Sequence, residues 1–226
     1  MTARTPKFLK RFLTIEKLFE VLNAKCLFLS DPNDWKKHDK NDCASLEAFR
    51  CLKSKETKSE IQIGVLCFAE GTEIVYHWDT YTKKGGCYIE FDEKEILKEV
   101  AGPNFLHGFM EYKSMNELTS AYLRGLVANK KINTFPFLKR RPYECDKEYR
   151  IIWYGKGKRP AGIPLKKKAI KRITLSFKKS NPKSEERQNE IRKKLEEKYG
   201  KNKIRVDLSQ LSESAAWIGR FRKISE

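Results

Sequence analysis

The chain has 226 residues, 39% hydrophobic and 12% aromatic, enough apolar material for one large domain or a domain with an appended lobe. Its 48 Lys/Arg against 30 Asp/Glu give a formal net charge of +18, which excludes an acidic or neutral surface and favours polyanionic partners. No apolar run approaches the length of a membrane span, and no apolar stretch of the secretory kind follows the basic N-terminus, so the expected location is cytoplasmic with no membrane partner.

In chain order, Phe8 to Phe12 reads as a strand, and Thr14 as the cap of a helix with Ile15, Leu18, Phe19 and Leu22 on one face. Lys25 to Leu29 is a short apolar strand closed by the turn residues Ser30-Asp31-Pro32-Asn33-Asp34. The polar stretch 36–60 reads as a loop with a short helix near Ala44 to Leu52. Ile61 to Phe68 and Gly86 to Phe91 are strong strands, with Val75 to Tyr81 helical between them and a Lys83-Lys84-Gly85-Gly86 turn. Residues 93–100 and 114–129 read as helical, with Phe105 to Tyr112 extended between them. Tyr149 to Tyr154 is rich in strand formers.

Gly155 to Pro164 is a Gly/Pro/Lys turn region and marks the expected division between a core, 1–155, and a basic C-terminal part, 156–226, packed on the same sheet as a single domain. That part reads as strand (Ala169 to Phe177), helix and strand (Lys203 to Leu208). Ser184 is the expected helix cap, and Ile191, Leu195 and Tyr199 make a narrow apolar stripe. Short strands broken by irregularly spaced helices, without a βαβα rhythm, imply an α+β fold with a mostly antiparallel central sheet and flanking helices.

The charge is unevenly spread. Residues 1–155 carry 26 Lys/Arg and 22 Asp/Glu, whereas 156–226 carry 22 and 8. Such a surplus suits nucleic acid, RNA or DNA, with Lys166, Lys167, Lys168, Lys171 and Arg172 the natural contacts; a merely solvated surface is the plainer alternative.

Three clusters hold residues suited to chemistry. Lys7-Phe8-Leu9-Lys10-Arg11-Phe12 alternates cations with aromatics, as an anion clamp or as an edge strand. Tyr76-His77-Trp78-Asp79-Thr80-Tyr81, between Cys67-Phe68-Ala69-Glu70 and Gly85-Gly86-Cys87, offers flat aromatic walls or simple core anchors. Glu144, Asp146 and Glu148 stand at i, i+2 and i+4 before an apolar strand, a spacing that shares one face if the backbone is extended. Arginines 140, 141 and 150 are there to neutralise them, or one acid serves a ribose hydroxyl or a developing cation. Six cysteines without a Cys-x-x-Cys pair, and only three histidines, offer no zinc spacing, so no metal is expected and the thiols read as reduced and buried.

In this order the clusters resemble the family catalogued as domain-of-unknown-function 2971. The matching pieces are Lys10-Arg11-Phe12, Leu27-Phe28-Leu29-Ser30-Asp31-Pro32, Asn33-Asp34-Trp35, Cys67-Phe68-Ala69-Glu70, His77-Trp78-Asp79-Thr80-Tyr81, Gly86-Cys87-Tyr88-Ile89-Glu90-Phe91 and Tyr143 to Arg150. Trp35 stands where the family has proline, His77 where it has methionine, and Asp146 where it has the first glutamate.

The layout is more distantly similar to mono-ADP-ribosyltransferase-like proteins, including toxins that modify nucleic acid. The resemblance implies NAD as cofactor and Glu148 as the catalytic carboxylate facing an oxocarbenium-like transition state. It further implies Lys10, Arg11 and Arg150 on the dinucleotide, and Trp78 and Tyr81 around nicotinamide. The modified target would be nucleic acid or protein, in a toxin or anti-phage defence setting that includes a protein partner in a multi-component system. The competing readings are a non-catalytic nucleic-acid-binding module, with the acids paired to arginines, and a nucleotide-sensing regulatory module.

Overall fold

A computed structural model describes residues 8–35, 40–82, 86–128, 132–176, 182–200, 204–209 and 211. Lys7, the turn residues Lys83-Lys84-Gly85, and the expected strand ends Phe177 and Lys203 lie outside the described residues. The strands are β1 (Phe8–Leu13), β2 (Cys26–Phe28), β3 (Gln62–Ala69), β4 (Cys87–Asp92), β5 (Phe105–Phe109), β6 (Glu111–Lys113), β7 (Leu138–Arg140), β8 (Glu148–Gly155), β9 (Gly162–Pro164), β10 (Ile170–Leu175) and β11 (Arg205–Leu208). The α-helices are α1 (Ile15–Ala24), α2 (Pro32–Trp35), α3 (Lys40–Thr57), α4 (Val75–Thr82), α5 (Glu93–Leu97), α6 (Met115–Ala128) and α7 (Pro182–Tyr199).

The chain forms two compact units interleaved in sequence. The first comprises 1–24, 71–95 and 166–226, the second 25–70 and 96–165. The residues just after Gly155 therefore stay with the second unit, where β9 pairs antiparallel with β2, and the passage to the first unit falls at 165/166. Both units mix helices with mostly antiparallel strand pairs, the α+β class expected from the sequence.

In the first unit the strand order is β11-β10-β4-β1. β1 and β10 both pair antiparallel with β4, and β11 joins β10 in parallel, so the basic C-terminal residues do build strand, helix and strand. Period-two alternation separates two faces. One carries Leu9, Leu13, Ile89, Phe91, Ile173 and Leu175, all buried. The other carries a charged row, Lys10–Glu90–Arg172, and a second row, Phe12–Tyr88–Thr174. Thr14 caps α1 through the Lys17 amide, and Leu18, Val21 and Leu22 are its buried stripe. On α7, among the described side chains, only the narrow stripe Ile191, Leu195 and Tyr199 is buried, as its spacing predicts. That helix starts at Pro182, two residues ahead of Ser184, because proline fits the first helical turn, where its missing N–H is not needed.

In the second unit the order is β3-β8-β5. β3 and β8 run antiparallel in register from Gln62↔Gly155 to Ala69↔Glu148. Leu46 and Phe49 of α3, Leu118 of α6, Phe135 and Leu138 pack on Ile61, Ile63, Val65 and Ile152. The helix expected only near Ala44 to Leu52 is α3, 18 residues long. Cys43, Leu46 and Phe49 give it a buried stripe at helical spacing, and Glu47–Arg50 and Lys53–Glu56 pairs support its polar side. Phe105 to Tyr112, expected as one extended stretch, divides at Met110 into β5, on β8, and β6, on β7.

Candidate functional site

Two constellations of polar and charged side chains stand out, one in each unit. In the second unit the Arg141–Asp146 segment is a 3-10 helix rather than extended chain. Pro142 at its start favours the helical turn, and Lys147, in the left-handed region at φ 43°, closes it. The expected shared face for Glu144, Asp146 and Glu148 is therefore not formed. Glu144 is exposed, while Asp146 and Glu148 are buried.

Those two carboxylates meet two buried cations. Arg150, fully buried, donates from Nε to Glu148 Oε1 at 2.6 Å and from its second amino nitrogen to Oε2 at 3.2 Å; its remaining amino group reaches the Pro136 carbonyl. Lys139 donates to Asp146 Oδ2 at 2.8 Å and to Glu148 Oε2 at 3.0 Å. Residues 148 and 150 share a face of β8 because they are two apart, and Cys67 pairs across from Arg150 on β3. The Tyr112 hydroxyl accepts the Glu148 amide, and the Cys67 thiol adds a hydrogen bond to the carboxylate.

Burial by itself would raise the Glu148 carboxyl, but the charges of Arg150 and Lys139 prevail and hold it down, at about 2. It is thus ionised throughout the physiological range, with both oxygens accepting from cations. The pair is a buried bidentate one, not the weak surface pair that a Glu–Arg contact usually makes. Lys139 was the residue the sequence did not single out. Its signal was its place as the first cation after the apolar run Phe135-Pro136-Phe137-Leu138, seven residues before Asp146.

In the first unit β1 and α4 bring Trp78 and Tyr81 around Phe12, and Lys10 lies on the same face of β1 as Phe12. Trp78 stands edge-on to the Phe12 ring at 5.2 Å, and Tyr81 lies 6.5 Å from it. Trp78 is buried, lies 5.6 Å from the Tyr88 ring and donates its indole N–H to Glu73, so it anchors the core. Tyr81 is 43% exposed.

Lys10 is buried, donates to the Gly71 carbonyl and faces Glu90 at 3.7 Å. Burial pushes its ammonium below the usual lysine value, with Glu90 pulling the other way. Arg172 completes the row, donating to Glu90 at 2.8 Å. Glu73 also accepts from Ser209. Arg11 is half-buried on the opposite face of β1, so of these two cations only Lys10 shares the face of Phe12.

Of the expected nucleic-acid contacts, Lys166, Lys167, Lys168 and Lys171 are exposed and Arg172 is half-buried. Lys168 pairs with Glu95, Lys171 with Asp92, and Arg172 with Glu90 and Asp207. Glu148 and Arg150 belong to the second unit, and Lys10, Arg11, Trp78 and Tyr81 to the first.

No disulfide joins any of the six cysteines, but only Cys43 and Cys87 are buried; Cys51 and Cys145 are exposed, which corrects the uniform burial expected of them. The two exposed thiols lie on α3 (Cys51) and in the 3-10 turn before β8 (Cys145). Among the described residues no group of three His, Cys, Asp or Glu is placed to hold a metal ion, and no helix is long and apolar enough to cross a membrane. No protein-family model, no curated protein and no solved structure matches this chain.

Proposed function

We propose that the chain is a nucleic-acid-binding module in which the Lys139–Asp146–Glu148–Arg150 cluster serves the fold rather than a reaction. The observation that carries this reading is the occupation of Glu148: both oxygens of this buried carboxylate accept from buried cations, one from Arg150 and the other from Arg150 and Lys139 together. The charge supplies the partner. The first unit contains 27 Lys/Arg and 16 Asp/Glu, and Lys166, Lys167, Lys168 and Lys171 are exposed where β10 begins. Ion pairs with Asp92 and Glu95 reduce the local charge of that patch but not the net surplus, which sets the long-range attraction to phosphates.

The test is fluorescence anisotropy of the full chain with a labelled duplex over a salt series. Affinity should fall steeply with salt. Replacing Lys166, Lys167, Lys168 and Lys171 by alanine should flatten the log–log slope by about 0.9 for each phosphate no longer neutralised. Absence of binding at low salt would refute the reading.

A second reading, glycosyl transfer from NAD to a nucleic acid or protein, is favoured by one observation. Glu148 is a carboxylate ionised at neutral pH at the head of β8, directly after Lys147, a non-glycine residue with positive φ, and such strain gathers at functional sites. On this reading Glu148 stabilises the developing oxocarbenium ion, which requires Arg150 or Lys139 to yield an oxygen when substrate arrives. The residues implied for NAD divide between the cluster and the Lys10–Trp78–Tyr81 group. Mass spectrometry of nucleic acid and protein after incubation with isotope-labelled NAD decides it: an ADP-ribose adduct supports transfer, and unmodified acceptors with intact NAD exclude it.

A further inference from the structure

Helix α4 divides its side chains sharply. His77, Trp78 and Thr82 are buried, at 1%, 9% and 2% exposure, whereas Val75, Tyr76 and Tyr81 are exposed at 60%, 38% and 43%. Tyr76 and Tyr81 are the only Phe, Tyr or Trp side chains among the described residues that fall in the exposed class. They do not hang loosely. The buried His77 ring lies 6.0 Å from Tyr76 and 6.2 Å from Tyr81, and the buried Phe12 ring backs Tyr81 as well. Two partly exposed phenol rings thus stand on a buried aromatic base. They belong to the unit that carries the larger cationic surplus, 27 Lys/Arg against 16 Asp/Glu.

Exposed aromatic side chains on a cationic body match one ligand chemistry closely. In a duplex the bases are stacked on each other and show only their edges; in a single strand their faces are open to stack on a side chain. We propose that Tyr76 and Tyr81 form a base-stacking platform, and that the nucleic acid taken by this chain is single-stranded. The inference rests on the nucleic-acid reading and narrows it. Phosphates supply the salt-dependent attraction to the lysines, and the tyrosines supply a salt-independent increment that only unpaired bases receive. The Trp78 indole contributes indirectly: its hydrogen bond to Glu73 and its contact with Phe12 fix the helix that carries the two rings.

The two contributions separate experimentally. The full chain is titrated into a fluorescein-labelled fifteen-residue oligothymidylate, and in parallel into a labelled duplex of equal length, over a salt series. The single strand should bind more tightly. Tyr76→Ala and Tyr81→Ala should each weaken single-strand binding by about tenfold, from a stacking contribution of about 1–3 kcal/mol per base. They should leave duplex binding and the salt slope unchanged, and Tyr81→Phe should retain the affinity. Equal affinity of the native chain for both forms, or tyrosine variants that bind the single strand as tightly as the native chain, would overturn the platform while leaving the nucleic-acid reading in place. Failure of the native chain to bind either form at low salt would overturn both. The strand-preference measurement uses the unaltered protein, so the inference stays testable even if a variant folds poorly.

Discussion

Replacing Glu148 by glutamine keeps the size of the side chain and removes one charge from a site where Arg150 is fully buried and Lys139 and Asp146 nearly so. Two buried cations would then share a single carboxylate. Removing one partner of a buried ion pair costs about 3–5 kcal/mol, because the other charge remains out of water. The depressed carboxyl, held down by the same two cations, implies a stabilisation of the same order. The gap between its ordinary 4.5 and the about 2 it has here corresponds to about 3 kcal/mol of stabilisation at neutral pH. In a chain of this length such a loss lowers Tm by about 6–20 °C.

The sign of the pH dependence follows from the depressed carboxyl. Its contribution is complete above pH 4.5 and is lost as pH falls towards 2, so the native chain and Glu148→Gln should converge in stability across that interval. Urea unfolding followed by tryptophan fluorescence, at pH 7 and at steps down to pH 3, measures both effects. A double variant, Glu148→Gln with Arg150→Met, should lose clearly less than the sum of the two single variants, because each single change orphans the charge that the other removes. A loss below about 1 kcal/mol for Glu148→Gln at pH 7, with additive single variants, would refute the assignment of a structural charge cluster.

Two further outcomes check the packing. Gly162→Ala places a Cβ 2.3 Å from the Leu27 carbonyl oxygen and 2.5 Å from the Cys26 sulfur, so β2 and β9 must part; unfolding in urea should show a loss of about 2 kcal/mol or more, and an unchanged midpoint would contradict the close pairing. With a disulfide reagent under native conditions, Cys51 and Cys145 should react fast and Cys43 and Cys87 only on unfolding, since the first two are exposed and burial raises the Cys87 thiol well above its ordinary value; rapid modification of all six would contradict the arrangement.

The local elements were legible because their signals are local. Ile63, Val65, Leu66 and Phe68 mark β3, the stripe of Ile191, Leu195 and Tyr199 marks the buried side of α7, and Thr14 marks the start of α1. The α+β class followed from the irregular order of those elements. The full length of α3 was hidden because most of its positions are charged or polar, and its helical state depends on three spaced residues, Cys43, Leu46 and Phe49, finding a core.

The candidate site was legible as a set of residue types but not as an arrangement. The alternation Glu144, Asp146, Glu148 promised one shared face, and a 3-10 turn begun by Arg141-Pro142 and closed by Lys147 sent Glu144 to solvent and the other two inward. Lys139, the cation that binds both, lies on β7, and no sequence pattern joins it to them, because a salt bridge between buried groups depends on where strands end rather than on spacing. The sequence by itself determined composition, surplus charge and the strand and helix propensities. Tertiary structure alone decided that Glu148 is a buried, doubly held carboxylate and that Tyr76 and Tyr81 face water, since burial is a property of what packs against a residue and not of the residue itself.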